Sequence, residues 1–122
     1  MNTIINNKRN MDEKLKYRYD VAMEFLFEEI QNNYDKWCEH CGHKSKALDL
    51  KIKPGRKFDR IMDGSSAWGF VAKVEGEHKG LPYKVGDVFK PATWRQPAKH
   101  VRGNIFNYEK NWFRWTGPHY LK

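Results

Sequence analysis

Ala67, Trp68, Phe70 and Val71 crowd four apolar side chains into five residues, broken only by Gly69. Side chains of a strand alternate between two faces, so a run this dense is apolar on both and needs cover on both. It predicts a central strand over 66–74, entered through an Asp63-Gly64-Ser65 turn. The neighbours read as flanking strands. Leu48, Leu50 and Ile52 alternate with Asp49, Lys51 and Lys53, a half-buried strand closed by Pro54-Gly55. Lys57–Met62 brings Phe58, Ile61 and Met62, and residues 87–93 make a fourth strand, whose Pro91 belongs at an edge or bulge. Gly76–Gly86, with Pro82 and Tyr83 inside it, is expected to be a loop. The sum is an antiparallel sheet of about four strands.

A sheet of this kind needs a helix against it, and the period changes upstream to supply one. Leu15, Tyr19, Ala22, Leu26, Ile30 and Tyr34 recur at helical spacing, with Val21 and Phe25 widening the stripe. Asp12 is an acceptable N-cap, so a helix is expected over 12–37. Its stripe fits the sheet by default, and a second copy of the chain, as a homodimer through the long helix, is the other surface it suits. The expected class is therefore α+β. Residues 1–10 form a disordered tail, and residues 11–122 form one domain: helix 12–37, connector 38–47 and sheet region 48–122.

The chain has 122 residues, enough for one core, and with 15% aromatics that core must be built largely from rings. No apolar run is long enough to span a bilayer, and Met1–Asn10 has no apolar segment of the signal-peptide kind. A cytoplasmic setting without membrane contact is the expectation, and two cysteines this close together cannot staple distant segments. Charge is uneven. Residues 1–37 carry six Lys/Arg against seven Asp/Glu, and residues 38–122 seventeen against eight, giving −1 and +9 and hence the net +8. Such a cationic excess draws polyanions.

Trp37-Cys38-Glu39-His40-Cys41-Gly42-His43 matches one knuckle of a zinc ribbon, with Cys38, Cys41 and His43 as candidate ligands. A second knuckle is missing, since the chain has only two cysteines. A closed site would need His78, His100, His119 or a second chain. The plainer reading is a helix-ending turn carrying two ordinary thiols. No thioredoxin-like βαβ pattern surrounds the pair. No cofactor other than zinc is suggested.

The span between Asp87 and Glu109 holds no acid but carries Lys90, Arg95, Lys99 and Arg102. Pro97 suits the first position of a helix and Gly103 the residue after its last, so a short helix is expected near 97–102. It would turn Ala98 and Val101 inward and Lys99 and Arg102 outward. Lys90, Arg95, Lys99, His100 and Arg102 are the candidate nucleic-acid-binding residues, forming a cationic corner for phosphates. No G-x-S-x-G, Walker loop or H-E-x-x-H motif is present, so the chain is not read as an enzyme. Trp112, Phe113, Trp115 and Tyr120 alternate with cations near the C-terminus. They could stack bases, and the favoured reading is a tail that clamps onto the core.

Four short patterns carry a resemblance: Ser66/Phe70/Val71; Gly86-Asp87-Val88/Lys90/Ala92/Trp94; Pro97-Ala98-Lys99/Arg102-Gly103-Asn104-Ile105-Phe106; and Gly117-Pro118/Tyr120-Leu121-Lys122. Together they resemble a group of small uncharacterised bacteriophage proteins. The resemblance covers about half the chain, from the second strand onward, and leaves the helix and the Cys38–Cys41 knuckle outside as an added module. It implies a phage protein acting in the host cytoplasm and brings no activity with it. Two functions remain open. One is a non-catalytic nucleic-acid-binding protein. The other is an inhibitor that docks on a host nucleic-acid-processing enzyme, such as a nucleic-acid-guided nuclease in an anti-CRISPR role.

Overall fold

The computed structural model of the chain describes residues 12–109 and 111–119; the tail expected over 1–10 lies outside the described residues. A long helix, α1 (Glu13–Cys41), opens on Asp12, whose Oδ1 accepts the Leu15 N–H at 2.7 Å. It runs one turn past the expected end at Trp37, because nothing stops it before Gly42. Gly42 adopts φ 74°, and the His43 N–H closes back on the Cys38 carbonyl at 2.8 Å. A residue without Cβ takes that left-handed stop at little cost.

Among the described residues nine strands follow: β1 (Leu50–Lys53), β2 (Phe58–Asp63), β3 (Ser66–Ala72), β4 (Gly76–His78), β5 (Leu81–Tyr83), β6 (Asp87–Pro91), β7 (Pro97–Asn104), β8 (Phe113–Arg114) and β9 (Gly117–Pro118). Five of them form one antiparallel sheet in the order β1-β2-β3-β6-β7, and β4-β5 and β8-β9 are separate hairpins. The class is α+β, as expected. Three elements differ. The segment 76–86 contains the β4-β5 hairpin and is not a plain loop. The C-terminal rings lie on and around the second hairpin. The short helix near 97–102 is instead strand β7, paired with β6 through Phe89↔Val101 and Val88↔Gly103. There the edge of β6 needs a partner, and its ladder outweighs the local Pro-to-Gly helix signal. Gly103 serves packing and not a left-handed turn: a Cβ there would sit 2.4 Å from the Trp112 ring.

The expected central strand is central. On the α1 side, Tyr19, Ala22, Met23, Leu26 and Ile30 bury against Ile61, Trp68, Val71 and Val88, joined by Ile105, Trp112 and Phe113. The helix stripe is thus used within the chain. It widens toward Met23 and Phe27, while Val21 stays 41% exposed. On the far side Phe70, Ala72, Tyr83 and Phe89 form a second cluster with Phe58 and Val101. A register shift pairs Ile61 with Gly69 and Met62 with Ala67, leaving Trp68 as an extra residue. Such a bulge re-aims a side chain. Trp68 consequently meets Trp112 and Phe113 edge-on, and its Nε1–H donates to the Arg114 carbonyl at 3.0 Å. Trp112, Phe113 and Trp115 clamp the core, as expected, and Tyr120 lies outside the described residues.

One polar group is buried between the layers. Asp59, 7% exposed, accepts the Tyr19 hydroxyl at 2.8 Å and the Lys73 ammonium at 3.1 Å. Burial, followed by the nearby Asp59 carboxylate, pushes the Tyr19 phenol well above its ordinary range, so it stays a donor. No described helix is long and apolar enough to cross a membrane.

Two outcomes follow for stability. Asp59→Ala strands the Tyr19 hydroxyl and leaves Lys73 without its charge partner, and urea unfolding should show a loss of about 3 kcal/mol. Tyr19→Phe removes a single donor and should lose about 1 kcal/mol. If the two variants lose equally, the carboxylate is not the hub. Gly103→Ala drives a methyl into Trp112 and should lose about 1–3 kcal/mol, whereas the same change at a helix-ending glycine would act through φ.

Candidate nucleic-acid interface

The pleat decides which charges share a face. Leu50 and Ile52 lie on the α1 side of β1, so Lys51 and Lys53 must lie on the other, opposite Met62 and Arg60 of β2. The β1-β2 connection adds Arg56 and Lys57, and the β6-β7 connection adds Trp94 and Arg95. That second loop is held by its own backbone. The Ala92 N–H reaches the Gln96 carbonyl at 2.8 Å, and Thr93 Oγ1 accepts the Arg95 and Gln96 N–H groups, each at 3.2 Å.

Two adjoining concavities result. A groove of about 790 Å³ is lined by Lys51, Lys53, Met62, Ser65, Ser66, Thr93 and Trp94, among others. A smaller pocket of about 160 Å³ is lined by Lys53, Arg56, Lys57, Arg60 and Arg95, with Phe58, Phe70 and Pro97 as apolar wall. Lys53 belongs to both. Among the described residues no carboxylate and no histidine lines either one. Nearby, Asp49 approaches Lys51 at 3.5 Å, but both side chains are more than half exposed, so this pair neutralises little.

Arg60 is the most constrained of these cations. Its guanidinium lies 5.8 Å from the Phe70 ring centre and 5.1 Å from that of Trp94, and the Arg95 guanidinium lies 4.8 Å from the same Trp94 ring. Cation–π contact of this kind fixes a guanidinium without neutralising it. The Nε and Nη1 atoms of Arg60 are buried with no hydrogen-bond partner among the described residues. Trp94 itself is 53% exposed.

The five residues nominated from the sequence are dispersed. Arg95 joins the cationic face, and Lys99 and His100 are exposed on β7. Lys90 and Arg102 instead tie down the C-terminal hairpin, Lys90 through the Pro118 carbonyl and Arg102 through the His119 carbonyl at 3.0 Å. Burial, together with the Arg102 charge, lowers the Lys90 ammonium below its ordinary range. The expected cationic corner is therefore not one surface, because two of its members are structural. Lys51, Lys53, Arg56, Lys57 and Arg60 were missed. Five cations within residues 51–60 against Asp59 alone was the available signal, and the alternation of β1 already placed Lys51 and Lys53 away from its apolar side.

The expected zinc ligands do not converge. Cys38 is buried in the last turns of α1, Cys41 is exposed at its end, and His43 stacks on Trp37 at 5.8 Å. Among the described residues, no three His, Cys, Asp or Glu side chains are placed to hold a metal ion. The C-x-x-C residues sit inside a continuing helix, without the turn that a zinc knuckle is built on.

No curated protein and no solved structure matches this chain. A family model does match, over residues 3–120. That span takes in α1 and Cys38–Cys41, so neither is an appendage to the family's chain. By this match the chain belongs to a family of unknown function, DUF7717.

Proposed function

We propose that this protein binds nucleic acid without catalysis, holding the phosphates of a single strand on the sheet face opposite α1. The observation that carries the reading is the acid-free array of Lys51, Lys53, Arg56, Lys57, Arg60 and Arg95 around the exposed Trp94 ring. Cations spaced along a groove neutralise successive phosphates, and an open aromatic ring beside them offers sequence-tolerant contact to bases. The opposite side of the molecule supports a defined orientation. α1 carries seven Asp/Glu against four Lys/Arg, so a polyanion is repelled there and drawn to the sheet. Ser65, Ser66 and Thr93 supply neutral hydrogen-bonding groups along the groove. Among the described residues the lining has no histidine and no carboxylate, the commonest general acid–base groups, which favours binding over turnover.

The test is fluorescence anisotropy with single-stranded and duplex oligonucleotides over a salt series. With four or five phosphates engaged, log affinity for a single strand should fall with log salt at a slope of about −3. The double variant Lys53→Glu/Arg56→Glu should weaken binding by more than about tenfold, through loss of two contacts and added repulsion. Lys44→Glu/Lys46→Glu makes the same charge change on the exposed connector and should weaken it far less. Both pairs are exposed, so stability should move by less than about half a kcal/mol. Absence of binding at low salt, or equal losses from the two pairs, overturns the reading.

A further inference from the structure

The two concavities are not equivalent, and their difference points to a specific ligand group. We infer that the smaller pocket takes a terminal phosphate, so that the protein prefers nucleic-acid strands with a phosphorylated end; this rests on the nucleic-acid reading above. Four lines converge on it. The pocket is small beside the groove, about 160 against 790 Å³, which suits a phosphate and leaves the base to the groove. Five cations line it with no carboxylate, more positive charge than an internal phosphodiester, with one negative charge, would balance. A terminal monoester carries about −1.5 to −2 and three free oxygens at neutral pH. The guanidinium of half-buried Arg60 is oriented by two rings, yet its Nε and Nη1 lack an acceptor among the described residues.

An unpaired donor on a charged group is costly, and an anion beside the guanidinium offsets that cost with a charge-assisted interaction. The two buried carboxylates among the described residues are answered from within the chain. Asp59 has Tyr19 and Lys73, and Asp87 accepts from Asn104 at 3.0 Å and from the Lys84 N–H at 2.9 Å. Arg60 is answered by rings alone. An acceptor from outside the chain completes it.

Matched short single strands ending in 5′-phosphate, in 3′-phosphate or in hydroxyls at both ends separate the possibilities. One phosphorylated form should bind about tenfold tighter than the hydroxyl-ended strand, the order expected of one added charge-assisted group. Arg60→Gln should bring that ratio close to one, and Arg60→Lys, which keeps the charge without the fork, should restore only part of it. Lys51→Gln, in the groove alone, should weaken both strands alike and keep the ratio. Urea midpoints check folding. If Arg60→Gln does not fold, Arg95→Gln on the exposed loop must reduce the ratio in its place. Equal affinity for all three strands overturns the terminal-phosphate inference and leaves nucleic-acid binding standing. If no strand binds, yet inorganic phosphate shifts the Arg60 Nε–H resonance, the pocket serves a free phosphoanion, and both readings fall. Silence in both experiments removes the pocket as an anion site.

Discussion

A strand that is apolar on both faces is the constraint on which the rest of this molecule depends. Trp68 and Val71 require cover on one side of β3 and Phe70 and Ala72 on the other. The chain meets the two demands with different material. One side receives α1, whose stripe spans the sheet. The other receives a compact group of rings, Phe58, Tyr83 and Phe89 packed edge-on or tilted at 5.2–5.9 Å, and the small β4-β5 hairpin that supplies Tyr83. A helix covers a whole face, but a three-residue hairpin covers only the part above it. The uncovered remainder of the far face, over β1 and the start of β3, is where the groove lies.

The same asymmetry sets the electrostatics. Under the helix, charge is admitted only when it is fully answered, and the Tyr19–Asp59–Lys73 group both answers it and fixes α1 to β2. Gln31 does comparable service at the other end of the helix, accepting the Leu48 N–H at 2.7 Å and donating to the Lys46 carbonyl at 2.9 Å. Asn33 accepts the Trp115 N–H at 2.9 Å and so ties the C-terminal hairpin to the same helix. On the far face no such accounting holds, since side chains there reach water. Lys51, Lys53, Arg56, Lys57 and Arg95 accumulate on it at little cost because they are exposed and solvated, and half-buried Arg60 is the exception.

How much of this was legible from the residues depends on which physics ruled each segment. Period alone placed α1 and β1 to β3, because their apolar spacing reflects burial directly. The segment 97–104 was misread because local cues and tertiary demand conflict: Pro97 and Gly103 suit a helix, but β6 requires a neighbour and Trp112 requires the missing Cβ. Lys90 and Arg102 looked like surface cations for a related reason. Nothing near them in sequence foretells that the Pro118 and His119 carbonyls return to them across the fold. The run from Lys51 to Arg60 was legible in principle. It was read for its apolar alternation, and the face left to its lysines was not followed to the loop carrying Trp94 and Arg95, which only the β6-β7 hairpin brings alongside.

Asp59 and Arg60 put the distinction in its smallest form. They are adjacent on β2, so the pleat sends them to opposite faces, with Asp59 paired opposite Val71 and Arg60 opposite Phe70. Asp59 meets a hydroxyl and an ammonium, and its charge is spent on holding the layers together. Arg60 meets two aromatic rings, which supply dispersion and a quadrupole but accept no conventional hydrogen bond from Nε or Nη1. For stability alone, a carboxylate across from Arg60 or an apolar side chain in its place would serve better, since a half-buried charge with unpaired donors is costly. Covering two of the guanidinium's donors with rings and leaving them without an acceptor raises the free energy of the unliganded state. An anion that pairs with Arg60 only in the folded chain stabilises the fold by an amount that grows with the logarithm of its concentration over its dissociation constant.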